Sequence, residues 1–311
     1  MAKDLKARDF VSLHDFTAEE LWQILETARA MKLRVKAGLR DSPLEGKTLG
    51  MIFTKPSTRT RISFEVGIWQ LGGVGLFLSA DELQLRRGET IDDTARVLSR
   101  YLDGIMIRTY NHEDVVDLAR HSDIPVINGL TDLLHPCQAT SDLLTIWEKL
   151  GRIRGVKLAF TGDGNNNMVH SLMFAGAKMG MDIRIASPEG HQPDPDVTRL
   201  VLGDATKSGA RITITQDPIE AVSDADVVYA DVWTSMGQEE QRSERLEILQ
   251  PYQVNSKLWR EVGDGAIFMH CLPAHREEEV TAEIIDGPMS VVFDQAENRL
   301  HAQKAIMTLT M

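Results

Sequence analysis

Short apolar runs alternate with longer stretches whose apolar residues recur every three or four positions, and this rhythm covers most of the chain. The stretch over 18–36 has the helical period. Beyond it, apolar runs at 48–53, 74–78, 104–107 and 125–127 have strand length, separated by helix-like stretches beginning near Ser57, Thr90, Glu113 and Ala139. The second half repeats the pattern, with runs at 157–161, 182–186, 211–215, 227–229, 266–269 and 291–293. Strands alternating with helices form right-handed βαβ units, so the expected fold is α/β with mostly parallel sheets. Two such series predict two doubly wound domains, 1–150 and 151–293, joined by interdomain helices. They meet where Gly151-Arg152-Ile153-Arg154-Gly155 breaks the pattern, and the final stretch, 294–311, reads as a helix.

Ligands of parallel sheets gather beyond the carboxyl ends of the strands. Ser57, Arg108, Gly162, Asp231 and His270 each follow a strand-like run, which predicts a site between the two domains. The densest chemistry lies in Ser57-Thr58-Arg59-Thr60-Arg61. Pro56 disfavours helix at Lys55, Ser57 suits an N-cap, and Ile62, Val66 and Trp69 recur at helical spacing. Two arginines in a first turn oppose the helix dipole unless an anion offsets them, so the segment reads as a phosphate site.

Composition narrows the class. With 311 residues the chain can bury two cores, and 42% hydrophobic and 26% charged residues are ordinary for a globular protein. A net charge of −12 argues against a nucleic-acid partner but allows arginines concentrated around a small anion. Only Cys137 and Cys271 are present, so disulfides do not organise the fold and a reducing compartment is expected. The first residues carry no apolar leader core and no long apolar stretch suggests a membrane, which makes the cytoplasm the default expectation.

Beyond Ser57–Arg61, further segments stand in a distinctive order. They are Phe64-Glu65, Gln84 within Asp81-Glu82-Leu83-Gln84-Leu85, Arg108, His135-Pro136-Cys137-Gln138, Asp231-Val232-Trp233-Thr234-Ser235-Met236-Gly237 and His270-Cys271-Leu272-Pro273. In order and rough spacing this set resembles the aspartate/ornithine carbamoyltransferase family, and the Ser-Met-Gly and His-Cys-Leu-Pro segments resemble its ornithine branch. The resemblance implies transfer of the carbamoyl group of carbamoyl phosphate to the δ-amine of L-ornithine, giving citrulline and phosphate without a cofactor. It implies that Ser57, Thr58, Arg59 and Thr60 hold the phosphate, joined by Gln84 and Arg299. Arg108, His135 and Thr60 would stabilise the oxyanion, Gln138 would orient the carbamoyl amide, and Cys271 and Leu272 would lie beside the reacting group. Arg108, His135 and Cys271 are thus the expected catalytic residues. Asn166 or Asn167, Asp231, Ser235 and Met236 would hold the amino acid. A homotrimer or multiple of trimers, and packing of the last helix on the first domain, are also implied.

Several residues allow plainer readings. Two histidines and two cysteines suggest zinc, but adjacent His-Cys pairs lack the usual ligand spacing, so no metal is expected. Cys137 reads as a small buried hydrophobe. The Gly162-Asp163-Gly164-Asn165-Asn166-Asn167 segment invites a nucleotide, yet it lacks the third glycine of a dinucleotide fingerprint and the Lys-Ser/Thr of a P-loop. Anchoring the family pattern on His170-Ser171 selects Asn167, and anchoring on the glycines selects Asn166, with Asn167 preferred. Arg86 and Glu277 stand where the family pattern has glycine. The rival readings are a carbamoyltransferase for another amine such as putrescine, a nucleotide-binding dehydrogenase and a phosphate-binding module without catalysis.

Overall fold

The computed structural model describes residues 2–79, 88–234 and 242–311. The chain forms two compact units, one of Met1–Leu144 with Glu297–Met311 and one of Thr145–Ala296. In the first, strands β1 (Thr48–Phe53), β2 (Val74–Ser79), β3 (Gly104–Arg108) and β4 (Val126–Leu130) pair in parallel in the order β2-β1-β3-β4. Helices α1 (Ala18–Lys36), α2 (Thr58–Gln70), α3 (Ile91–Leu98) and α4 (His112–His121) accompany them, and α5 (Pro136–Leu150) leaves the unit. A capping box between Thr17 and Glu20 starts α1, satisfying backbone donors at its exposed end. Ile52, Ile105, Ile107, Val115, Leu118 and Val126 form a buried core cluster between sheet and helices.

In the second unit, β5 (Lys157–Thr161), β6 (Asp182–Ala186), β7 (Arg211–Thr215), β8 (Val227–Ala230) and β9 (Ile267–His270) form a parallel sheet in the order β7-β6-β5-β8-β9. Around it run α6 (Asn167–Met179), α7 (Pro195–Ser208), α8 (Pro218–Val222), α9 (Arg242–Leu249), α10 (Ser256–Trp259) and α11 (Ala282–Ile285). A side chain at Gly176 would lie 2.2 Å from Ile183, so glycine lets α6 close onto β6. The last helix, α12 (Val292–Thr310), begins in this unit and ends in the first.

Both sheets reverse their strand order internally: β1 has β2 on one side and β3 on the other, and β5 has β6 and β8. The crevice outside the strand ends at such a reversal is where parallel sheets bind ligands. The α/β expectation with parallel sheets holds, and three details differ from the sequence reading. Val291 gives a single backbone bond to Phe268 and the chain then turns into α12, so 291–293 is not a strand. Ile62 and Trp69 face outward on α2, whose buried face is Thr60, Phe64, Gly67 and Ile68. A side chain at Gly67 would lie 3.0 Å from Met307, so that face presses on α12 and the wider apolar stripe is left outside. The boundary between the two units falls inside α5, while Gly151 and Gly155, both left-handed, carry the chain from α5 to β5.

Candidate active site

In the first unit, β1 delivers the chain through Lys55 and Pro56 to the start of α2. Ser57 caps it, its hydroxyl accepting the Thr60 N–H at 3.2 Å. The buried Thr60 hydroxyl receives Arg299 Nη2 at 3.1 Å and Arg108 Nη1 at 3.4 Å. Arg299 Nη1 donates to Gln138 Oε1 at 2.7 Å, and Gln138 Nε2 donates to Asp142 at 2.8 Å. Residues from α2, β3, α5 and α12 thus meet at one helix N-terminus. Arg59 is half-buried and Thr58 exposed on the same turn. A cavity of about 620 Å³ opens beside it, bordered by Lys55, Ser57, Thr58, Arg61 and Glu65.

His135 precedes the proline that opens α5 and is buried. Burial, followed by the charges of Arg299, Arg108, Lys55 and Arg59, holds its pKa well below the ordinary histidine value. It is therefore a neutral imidazole near pH 7, able to donate one hydrogen bond to a carbonyl oxygen without adding charge. Lys55 is also buried, its ammonium 4.2 Å from the centre of the Tyr110 ring. Burial and the nearby Arg108 lower its pKa to about 8, against an opposing pull from Asp132. Concentrated, partly desolvated positive charge is costly unless an anion joins it.

In the second unit, the loop after β5 leads into α6. Asn166 caps that helix: its Oδ1 accepts the Val169 N–H at 2.9 Å and its Nδ2 donates to the Asp163 carbonyl at 2.8 Å. Both ends of its amide are occupied, and Asn167 is the first helical residue, at the positively polarised end. Beyond β8, the buried Asp231 accepts from the Val232 N–H at 2.8 Å and the Cys271 thiol at 3.0 Å. Burial raises its pKa, opposed by His270 and by those two bonds. A carboxylate in this setting favours a cationic ligand.

Cys271 and Leu272 are held by His270, whose Nδ1 accepts the Leu272 N–H at 2.9 Å. The other ring nitrogen lies 3.2 Å from Glu279 Oε1, which also accepts the His275 N–H at 2.6 Å. Ligand atoms of Asp231, His270 and Cys271 lie within 4.8 Å of one another, but these bonds already engage both nitrogens of the ring. Cys137 donates its thiol to Asn128 O at 3.3 Å, and burial pushes its pKa up to about 12, so it packs rather than reacts. The Asp163 carboxylate is buried against Arg245, an arrangement that opposes a pyrophosphate on the glycine loop.

Of the anticipated residues, Ser57, Thr58, Arg59, Thr60, Arg108, His135, Gln138 and Arg299 gather in the first unit. Asn166, Asn167, Asp231, Cys271 and Leu272 lie at the strand ends of the second. Gln84, Arg86, Ser235 and Met236 lie outside the described residues. Lys55, Arg245 and Glu279 were not anticipated. Lys55 alone carried a signal, a lysine immediately beyond an apolar run and before Pro56.

Residues 8–148 match the carbamoyl-P binding domain of aspartate/ornithine carbamoyltransferase, and 154–310 match its Asp/Orn binding domain. An ornithine carbamoyltransferase of Thermococcus kodakarensis is 60% identical over 311 residues, covering 100% of this chain and 98% of the relative. An anabolic ornithine carbamoyltransferase of Pyrococcus furiosus is 58% identical, again covering 100% of this chain and 98% of the relative. The solved ornithine carbamoyltransferase from P. furiosus superposes with a TM-score of 0.97 at 57% identity, covering 100% and 99% of the two chains. With both domain models matched in order and relatives identical at more than half of their positions, this chain belongs to the aspartate/ornithine carbamoyltransferase family.

Proposed function

We propose that this carbamoyltransferase joins the carbamoyl group of carbamoyl phosphate to the δ-nitrogen of L-ornithine, releasing phosphate and giving L-citrulline in arginine biosynthesis. The observation that carries the reading is the Thr60 hydroxyl held between Arg108 and Arg299 at a capped helix N-terminus, with a neutral imidazole beside it. In this reading Ser57, Thr58, Arg59 and Thr60 bind the phosphate, with Gln84 and Arg299 adding donors. Arg108, His135 and Thr60 stabilise the oxyanion as the amine attacks, and Gln138 orients the carbamoyl amide. Asp231 takes the α-ammonium, while Asn167, at the positively polarised N-terminus of α6, takes the carboxylate with Ser235 and Met236. Cys271 and Leu272 line the approach of the δ-amine. That amine reacts neutral, although an alkylammonium titrates near pH ~10.4 in water, and a desolvated cationic surrounding lowers that value.

Assembly as a homotrimer, or a multiple of trimers, belongs to the same proposal. It is supported by exposed Ile62 and Trp69 on α2 and exposed Val74, Leu76 and Phe77 on the edge strand β2. The enzyme is taken to work in the cytoplasm, which the two free thiols support. Among the described residues, no helix is long and apolar enough to cross a membrane.

A panel of acceptors tests the substrate. L-Ornithine should be carbamoylated far better than putrescine or L-aspartate, since putrescine leaves the carboxylate donors unsatisfied and aspartate brings a second anion. Equal use of putrescine would overturn the named acceptor while leaving the carbamoyl chemistry intact.

A further inference from the structure

The segments proposed to hold the amino acid leave two different strands, β5 and β8, and one buried guanidinium ties them together. Arg245, on α9, donates Nε to the Trp233 carbonyl at 2.6 Å, and its Nη2 forms an ion pair with Asp163 Oδ2. Both side chains are more than nine-tenths buried. Trp233 lies two residues beyond Asp231, and Asp163 lies just before Asn166 and Asn167. Asp163 also shapes its own loop: Oδ1 accepts the Asn165 N–H at 3.1 Å and faces His191 Nδ1 at 3.4 Å, while its carbonyl accepts Asn166 Nδ2.

We propose that the Arg245–Asp163 pair is a positioning device for the acceptor amino acid, fixing the spacing between the Asp231 carboxylate and the N-terminus of α6. This inference rests on the reading of Asp231 and Asn167 as acceptor ligands. An α-amino acid presents an ammonium and a carboxylate at a fixed separation. A site that reads both therefore depends on how its two loops are held. The fork matters: Nε of the guanidinium reaches a backbone carbonyl while Nη2 reaches a carboxylate. A lysine cannot span both in that geometry. Both residues lie in the second unit, so the effect is expected on the substrate that this unit is proposed to hold.

Steady-state kinetics of Arg245→Lys and Asp163→Asn, with each substrate varied separately, tests the proposal. The KM for L-ornithine should rise about tenfold or more in each, with the carbamoyl-phosphate KM within about twofold of wild type. The double variant should be no worse than the poorer single, because both break one link. In Arg245→Ala, free guanidinium ion should restore part of the ornithine KM, which a merely destabilised fold would not show. An unchanged ornithine KM in the single variants, or equal rises for both substrates, overturns the proposal. If Arg245→Lys does not fold, Asp163→Asn decides. A wild-type enzyme that ignores ornithine would instead overturn the proposed acceptor, and the same comparison is then read on the KM of the amine it does use.

Discussion

At the scale of single residues, the first unit concentrates charge that is conditional on a ligand. Lys55 carries the clearest instance, since burial and Arg108 bring its pKa down to about 8. A dianion arriving beside it favours the ammonium form and raises that pKa. Above about pH 8, phosphate binding should therefore take up a proton at Lys55, and affinity should fall as pH rises through that value. Calorimetric titration with a phosphonate analogue, in buffers of different ionisation enthalpy near pH ~9, measures the uptake. Uptake should vanish in Lys55→Met; the same uptake in that variant would assign the proton elsewhere. For folding of the free protein the pH dependence has the opposite sign. The native pKa lies below the ordinary lysine value, so this group makes the fold more stable as pH rises from about 8 towards the unfolded pKa. Ser57 to Thr60 were legible in the sequence because a cap followed by arginines breaks a local rule. The perturbation of Lys55 was not, because it comes from burial and from Arg108, which the pairing of β1 with β3 brings near.

Among the elements, the turn from β9 to α11 shows how a departure from the family pattern is accommodated. Glu277 adopts a left-handed conformation, φ +69°, at a position where the family pattern has glycine. Its carboxylate Oε1 accepts the Ala282 N–H at 2.9 Å, serving α11 where Thr281 provides no side-chain cap. Left-handed backbone costs a non-glycine residue about 1 kcal/mol or more, and a helix cap is worth about 1 kcal/mol. Glu277→Gly should thus leave stability nearly unchanged, while Glu277→Ala, keeping the strain and losing the cap, should lose about 1 kcal/mol in chemical denaturation. A Glu277→Ala variant as stable as wild type would show that the cap contributes nothing. Element type was readable wherever period and length agreed, as for α1 and for β5 to β7. It failed at 291–293, where a short apolar run feeds α12 after a single bond to Phe268. The outward stripe of α2 was misleading for a related reason: Gly67 permits close packing against Met307, and no periodicity of apolar residues reports a contact made by glycine.

For the whole molecule, each unit places its candidate ligands at the point where its sheet reverses strand order, a consequence of topology that the alternation of runs foreshadowed. Arg299 meets Thr60 because the end of the last helix belongs to the first unit, a contact that no local sequence pattern marks. The buried pair Arg245–Asp163 spans a separation in sequence that no local pattern marks. The central claim is that the carbamoyl carbon of carbamoyl phosphate is joined to the δ-nitrogen of L-ornithine as phosphate leaves. Nuclear magnetic resonance tests it most directly, using carbamoyl phosphate labelled at the carbamoyl carbon and L-ornithine labelled at the δ-nitrogen. A one-bond carbon–nitrogen coupling should appear at the δ position as inorganic phosphate is released in equal amount. Phosphate release without that coupling, or coupling to another nitrogen, would contradict the account.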